Sequence, residues 1–267
     1  MGLAVGHMGR WPVTVREIRT LLSCSVQYEH FLYPSYDTPL VEAYDRRFES
    51  VFVILHPFLR VPDELAWKTV QSYPSDEQTL AHAAKCPWSE VFSSTGLHTC
   101  AKLNQALLTS IRAIDEEVCD FAAEQKLQAL LKSEPVWMPT EGRFEPLLQI
   151  DFLAAFETAR KAELIFVPEF PEADSVKRFE VARLKSRAMQ FPARGSLVPD
   201  DASFLITVDW DSFFTLFYGP RAFVAEVARR RNLEGFFASQ TLEHFWFNYS
   251  MGCATVTISP EHWALAE

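Results

Sequence analysis

Glycine and positive charge are both in short supply in this 267-residue chain. Nine glycines leave few positions where the backbone can turn left-handed without a side-chain penalty, so the sixteen prolines carry most of the punctuation. Lys and Arg number 25 against 35 Asp and Glu, a formal charge of −10. That balance argues against a primary nucleic-acid or anionic-membrane binder. No stretch approaches the ~20 apolar residues of a membrane-spanning helix. The densest apolar runs, Val51–Leu55 and Phe213–Tyr218, read as buried strands.

The cysteines are too few and too irregular for a disulfide framework. Cys24, Cys86, Cys100, Cys119 and Cys253 are odd in number, and a reducing, cytoplasmic setting is expected. The N-terminus lacks a basic region followed by a long apolar one, so no signal peptide is expected. Gly6 stands where a myristoylation signal needs Ser or Thr. Residues 1–10, with Gly6-His7-Met8, are expected to be disordered or a cloning remnant. Absent too are a G-x-S-x-G elbow, an H-E-x-x-H helix, a phosphate loop and a G-x-G-x-x-G turn, which weakens a conventional hydrolase, kinase or dinucleotide enzyme. No cofactor is expected.

What the chain does have is hydrophobic mass. Hydrophobic residues make up 48%, with 22 phenylalanines and 7 tryptophans, against 22% charged, so the chain can support its own core. Thr38-Pro39 predicts a helix start running to about Phe48, and Pro62-Asp63-Glu64 predicts another. Ser75-Asp76-Glu77-Gln78 fits a capping box for a helix to about Lys85. After Thr99, Leu103, Leu107, Ile111, Ile114, Val118 and Phe121 recur at helical steps and predict one long helix. Pro135, Pro139, Gly142 and Pro146 mark a loop, and 134–146 is the candidate boundary between two lobes of a single domain over 11–267.

Asp151 is read as a cap for a helix carrying Phe152, Ala155 and Phe156. Strands are predicted near 51–55, 163–167, 204–208, 212–218 and 235–238. Gly219-Pro220 opens a helix that Arg229-Arg230-Arg231 ends, with Asn232 as a left-handed stop. The expected fold class is α+β, with a helical N-terminal half and a mixed C-terminal half holding a small, mainly antiparallel sheet. The basic residues Lys177, Arg178, Arg183, Lys185, Arg187 and Arg194 read as a solvated face rather than a nucleic-acid site.

Three groups of side chains offer chemistry. His82-x3-Cys86 and His98-x-Cys100 have the ligand types of a tetrahedral zinc site, although Cys86 precedes a proline and no Cys-x2-Cys pair is present. The alternative is buried cysteines with surface histidines. Asp209 and Asp211 straddle Trp210 in a turn past a strand end. With Glu234 and His244 they form a candidate acid/base or metal cluster, against the plain tendency of Asp to stabilise turns. Glu261-His262 offers a further general base. Asp115, Glu116, Asp120 and Glu124 lie off the apolar stripe, either a solvated helix face or an acidic surface that docks a basic partner.

The segment Val208-Asp209-Trp210-Asp211-Ser212-Phe213-Phe214 through Asn232-Leu233-Glu234-Gly235-Phe236-Phe237 carries a resemblance. It resembles uncharacterised bacterial families of unknown function in which a strand pair and helix precede L-E-G-F-F or L-E-G-F-W and a Thr/His/Trp cluster. Here that cluster is Thr241, His244 and Trp246. Some similar small acidic proteins are immunity proteins against polymorphic toxins. Ala238-Ser239 stands where the pattern often has Cys-Asp, which weakens a catalytic role for the segment. The resemblance and the acidic charge together imply a cytoplasmic binding protein, an immunity-type inhibitor of a basic toxin. The alternative is a metal-assisted, hydrolase-like enzyme using Asp209, Asp211, Glu234 and His244. Neither a nucleic-acid nor a membrane partner is expected, and the oligomeric state stays open.

Overall fold

The structure, a computed structural model, describes residues 29–61, 73–172, 175–186 and 191–246. A seven-stranded sheet organises them, in the order β10-β1-β9-β8-β7-β5-β6, with every neighbouring pair antiparallel. Its strands are β1 (Ser50–Leu55), β5 (Glu163–Pro168), β6 (Lys177–Glu180), β7 (Gly195–Val198), β8 (Leu205–Val208), β9 (Phe214–Gly219) and β10 (Gly235–Phe237). A second sheet of three short strands has the order β3-β2-β4, with β2 (Phe58–Arg60), β3 (Ala84–Cys86) and β4 (Val136–Trp137).

β1 is buried at all six positions because both faces of the sheet are covered. The two-residue period sends Val51, Val53 and Leu55 into one core and Phe52 and Ile54 into the other. On the first face lie α2 (Trp88–Thr95), α3 (Cys100–Ile111) and α4 (Phe121–Ser133), packed through Trp88, Leu103, Leu107 and Leu127, with Trp246 alongside. On the second lie α5 (Gln149–Thr158), α6 (Val181–Ser186) and α7 (Arg221–Arg230), packed through Phe152, Phe156, Leu184, Val224 and Val227. Burying each such large side chain contributes about 2 kcal/mol, so the sheet and its two helix layers stand together.

This architecture corrects the expected fold class. The first half is not simply helical, and the sheet is large rather than small. β1, from the first half, sits between β9 and β10, and β6 and β7 add strands that no hydrophobic run announces. β6 is Lys-Arg-Phe-Glu, a charged edge strand held by its pairing with β5.

Several helices also differ from expectation. Leu40–Arg46 is not a regular helix: Ala43, Tyr44 and Asp45 leave helical geometry, and no side chain caps its start. The long helix after Thr99 is two. Arg112 turns left-handed at φ 61°, closing α3, and Asp120 caps α4 by accepting the Ala123 N–H at 3.0 Å. The stripe therefore ends early, and Phe121 is 44% exposed. Asp151 is not a cap. It lies inside α5, buried between Lys85 (2.5 Å) and Arg231 (2.6 Å). The helix expected from Pro62 and the pair Glu261-His262 fall outside the described residues.

Other local signals hold. α1 (Asp76–His82) starts at a full capping box between Ser75 and Gln78, but stops short of Lys85 because Ala84–Cys86 pair with β2 as β3. Asn232 is left-handed at φ 49° just beyond α7. Among the described residues no helix is long and apolar enough to cross a membrane.

Candidate functional site at the carboxylate-rich end of the sheet

The turn Asp209–Ser212 joins β8 to β9 and projects from one end of the sheet. The Ser212 hydroxyl closes it by donating to the Asp209 carbonyl at 2.7 Å, and Asp211 adopts φ 53°. Strand register fixes what lies beside it. Gly195 pairs with Val208 on one side and Pro168 on the other, so Arg194, Glu169 and Asp209 emerge together. Arg194 donates to Glu169 at 3.1 Å and to the Gly142 carbonyl, and its guanidinium lies 4.0 Å over the Trp210 ring. Glu141 accepts the Asp211 N–H at 3.2 Å.

Tyr36 crosses the same end from the first helix-covered face. Its hydroxyl donates to Asp209, and its ring stacks on His244 with centroids 4.3 Å apart. The Tyr33 hydroxyl bonds His244 Nδ1 at 2.8 Å. Burial pushes the Asp209 carboxyl up to about 6, aided by the negative charge of Glu169 and opposed by the Tyr36 hydrogen bond. Burial also raises Glu141, with the Asp211 charge adding to it. His244, enclosed by aromatic rings, is driven down to about 3 and is neutral at pH 7. Solvent still reaches this end: Trp210 is 50%, Tyr36 42% and Phe170 79% exposed. The result is an aromatic platform among four carboxylates and one arginine.

The expected cluster forms only in part. Asp209 and His244 meet on opposite sides of Tyr36, and Asp211 turns toward Glu141. Glu234 is elsewhere, accepting the N–H groups of Trp88 (2.7 Å) and Ser89 (3.0 Å) at the start of α2. Among the described residues no group of three or more His, Cys, Asp and Glu is arranged to hold a metal ion. His82 ends α1, Cys100 begins α3 and His98 is exposed on the loop before it. The buried Cys86 thiol accepts from Arg60 at 3.6 Å and is pushed up to about 11 by burial.

Two of the four residues of the expected acidic face make internal pairs. Asp120 caps α4 and pairs with Lys102 at 2.9 Å, and Glu124 pairs with Arg112 at 3.2 Å. Asp115 and Glu116 are exposed in the turn between α3 and α4.

Tyr36, Glu141 and Glu169 join this site without having been expected there, and Arg194, expected as solvated surface, is held within it. No local pattern marks them, because each arrives from a different part of the chain. His56, just beyond β1, carries no such local mark either. In the structure the His56 Nδ1–H donates to the Thr140 carbonyl at 2.8 Å and Nε2 accepts from the Thr215 hydroxyl at 2.8 Å. Burial lowers this imidazole to about 4.

The L-E-G-F-F segment is explained by packing. Glu234 caps α2. Gly235 lets β10 reach β1, where a Cβ would stand 2.0 Å from the Val53 carbonyl oxygen. Phe236 and Phe237 face the two cores.

A similar chain is the "Uncharacterized protein YwbB" of Bacillus subtilis (strain 168), 22% identical over 222 residues, covering 79% of this chain and 96% of that one. No solved structure matches this chain. Residues 36–248, which take in the sheet, both helix layers and the Tyr36–Asp209–His244 contacts, match a single family model, and the chain belongs to the family described as "Protein of unknown function (DUF2711)".

Proposed function

We propose that this protein acts by binding a basic protein partner at the carboxylate-rich end of its sheet. The observation that carries the reading is the exposed ring of Trp210, stacked on the Arg194 guanidinium and flanked by Tyr36, Asp209, Asp211 and Glu169. Tyr, Trp and Arg are the residues that anchor protein interfaces. A surface that already holds one guanidinium by stacking and carboxylate pairing suits a partner's arginines or lysines. The net charge of −10 would speed the encounter.

Within this reading the chain is a cytoplasmic immunity-type inhibitor and the partner a toxic enzyme. The thiols of Cys86 and Cys119 are compatible with a reducing compartment. The interface differs from the expected one, since Asp120 and Glu124 serve internal pairs. The metal-assisted alternative is less favoured, because Glu234 and His244 are committed to other contacts.

Cross-linking in cells of the source organism, followed by mass spectrometry, tests this. The expected result is one basic protein bound in a salt-sensitive complex, lost in Trp210→Ala and Tyr36→Ala. Expressed alone, that protein should arrest growth, and co-expression of this chain should restore it. Retention of the same partner by both variants would remove the proposed interface, and a harmless partner would remove the inhibitor reading.

A further inference from the structure

A cleft of about 820 Å³ opens between the last turns of α3 and α4, β4 and the loop after it, and shares Glu141 with the sheet end. Its body is apolar, built from Ile111, Leu131, Trp137 and Met138. One wall is held rigidly. The Thr140 carbonyl accepts from His56, its N–H donates to the buried Glu145 at 3.2 Å, and its hydroxyl meets Tyr73 at 3.2 Å. A volume of this order, with few fixed polar groups, is typical of small-molecule sites, and a preformed wall reduces the ordering cost of binding.

The charges on the lining decide the ligand class. Arg143 pairs with Asp76, so these two cancel. Glu141 is engaged by the Asp211 N–H on the far side of its loop. Lys132 is exposed at the end of α4 and has no ion pair with any described residue, which leaves it as the cationic group of the lining open to a ligand. A dianion such as a phosphate monoester would bring a second charge that this one lysine does not balance. A cation would meet Lys132.

We propose that this cleft is a second binding site, for a small amphipathic monoanion: an apolar, ring-sized carboxylate lying against Trp137 and Met138, with its charge met by Lys132. The site does not depend on the protein-binding reading of the sheet end.

Calorimetric titration of the full chain with naphthalene-2-carboxylate and with the uncharged 2-naphthamide tests it. One carboxylate should bind per chain, about tenfold more tightly than the amide, the ratio that one favourable charge contact of 1.4 kcal/mol gives. In Lys132→Gln, an exposed change that leaves the fold intact, that preference should nearly vanish. Ile111→Trp, checked for folding by circular dichroism, should weaken both ligands by filling the cleft. Trp210→Ala should bind both as the native chain does, which separates this site from the sheet end. Absence of saturable carboxylate binding, equal affinity for the amide, or an undiminished preference in Lys132→Gln would each overturn the proposal.

Discussion

His56 and Thr215 face each other across the junction of β1 and β9, the Thr215 hydroxyl donating to His56 Nε2 at 2.8 Å while the other ring nitrogen holds the Thr140 carbonyl. Both side chains are buried, so the imidazole tautomer is set by its two partners. Thr215→Val keeps the shape but strands Nε2. It should cost about 1–3 kcal/mol, the penalty of an unpaired buried polar group, while Thr215→Ser should cost much less. Urea unfolding of the two variants checks this.

Acid should destabilise the protein from about pH 6.5 downward. His56 and His244 are held neutral when folded, near 4 and 3, while the unfolded chain titrates near 6.5. The unfolded state therefore binds more protons in that window, and stability falls as pH falls. Each histidine should contribute a loss of about 2 kcal/mol by pH 5. His244→Phe should flatten part of this slope in urea midpoints taken across the window.

Asp209 works in the opposite sense. Its folded value near 6 lies above the ordinary 3.8, so the native state binds more protons between these values and this group's contribution falls as pH rises. Above pH 6 its ionisation carries a standing cost of about 1–3 kcal/mol. Asp209→Asn, still able to accept from Tyr36, should raise the urea midpoint at pH 7.5 and bring little gain at pH 4.5.

The Leu233–Phe237 segment should prove structural. Gly235→Ala forces a Cβ against the Val53 carbonyl and the Phe52 ring, and should detach β10 or prevent folding. Glu234→Gln weakens the cap on α2 and should cost about 1 kcal/mol with the calorimetric carboxylate binding unchanged. A loss of ligand binding without a loss of stability would contradict the structural role.

The legible features were those written within a few residues. Ser75 and Gln78 announce α1, the β-branched run announces β1, and Asn232 announces the end of α7. The break at Arg112 was hidden because apolar residues keep helical spacing across it. The Thr109 hydroxyl and the Asp120 cap decide the break, and neither disturbs the period. At the sheet end, Asp209 and His244 were found as chemistry-bearing residues, but the ring between them was not. Tyr36 reaches Asp209 across 173 positions of chain, a contact that no local signal encodes.

The position of β1 has a consequence for how the protein is made. Its partners on both sides, Phe214–Gly219 and Gly235–Phe237, are translated more than 150 residues later. During synthesis β1 emerges as an apolar ribbon with both edges unpaired, and it stays so until most of the polypeptide has left the ribosome. Chaperone dependence and sensitivity to translational pausing should therefore concentrate in residues 50–55, well before any partner or ligand is met.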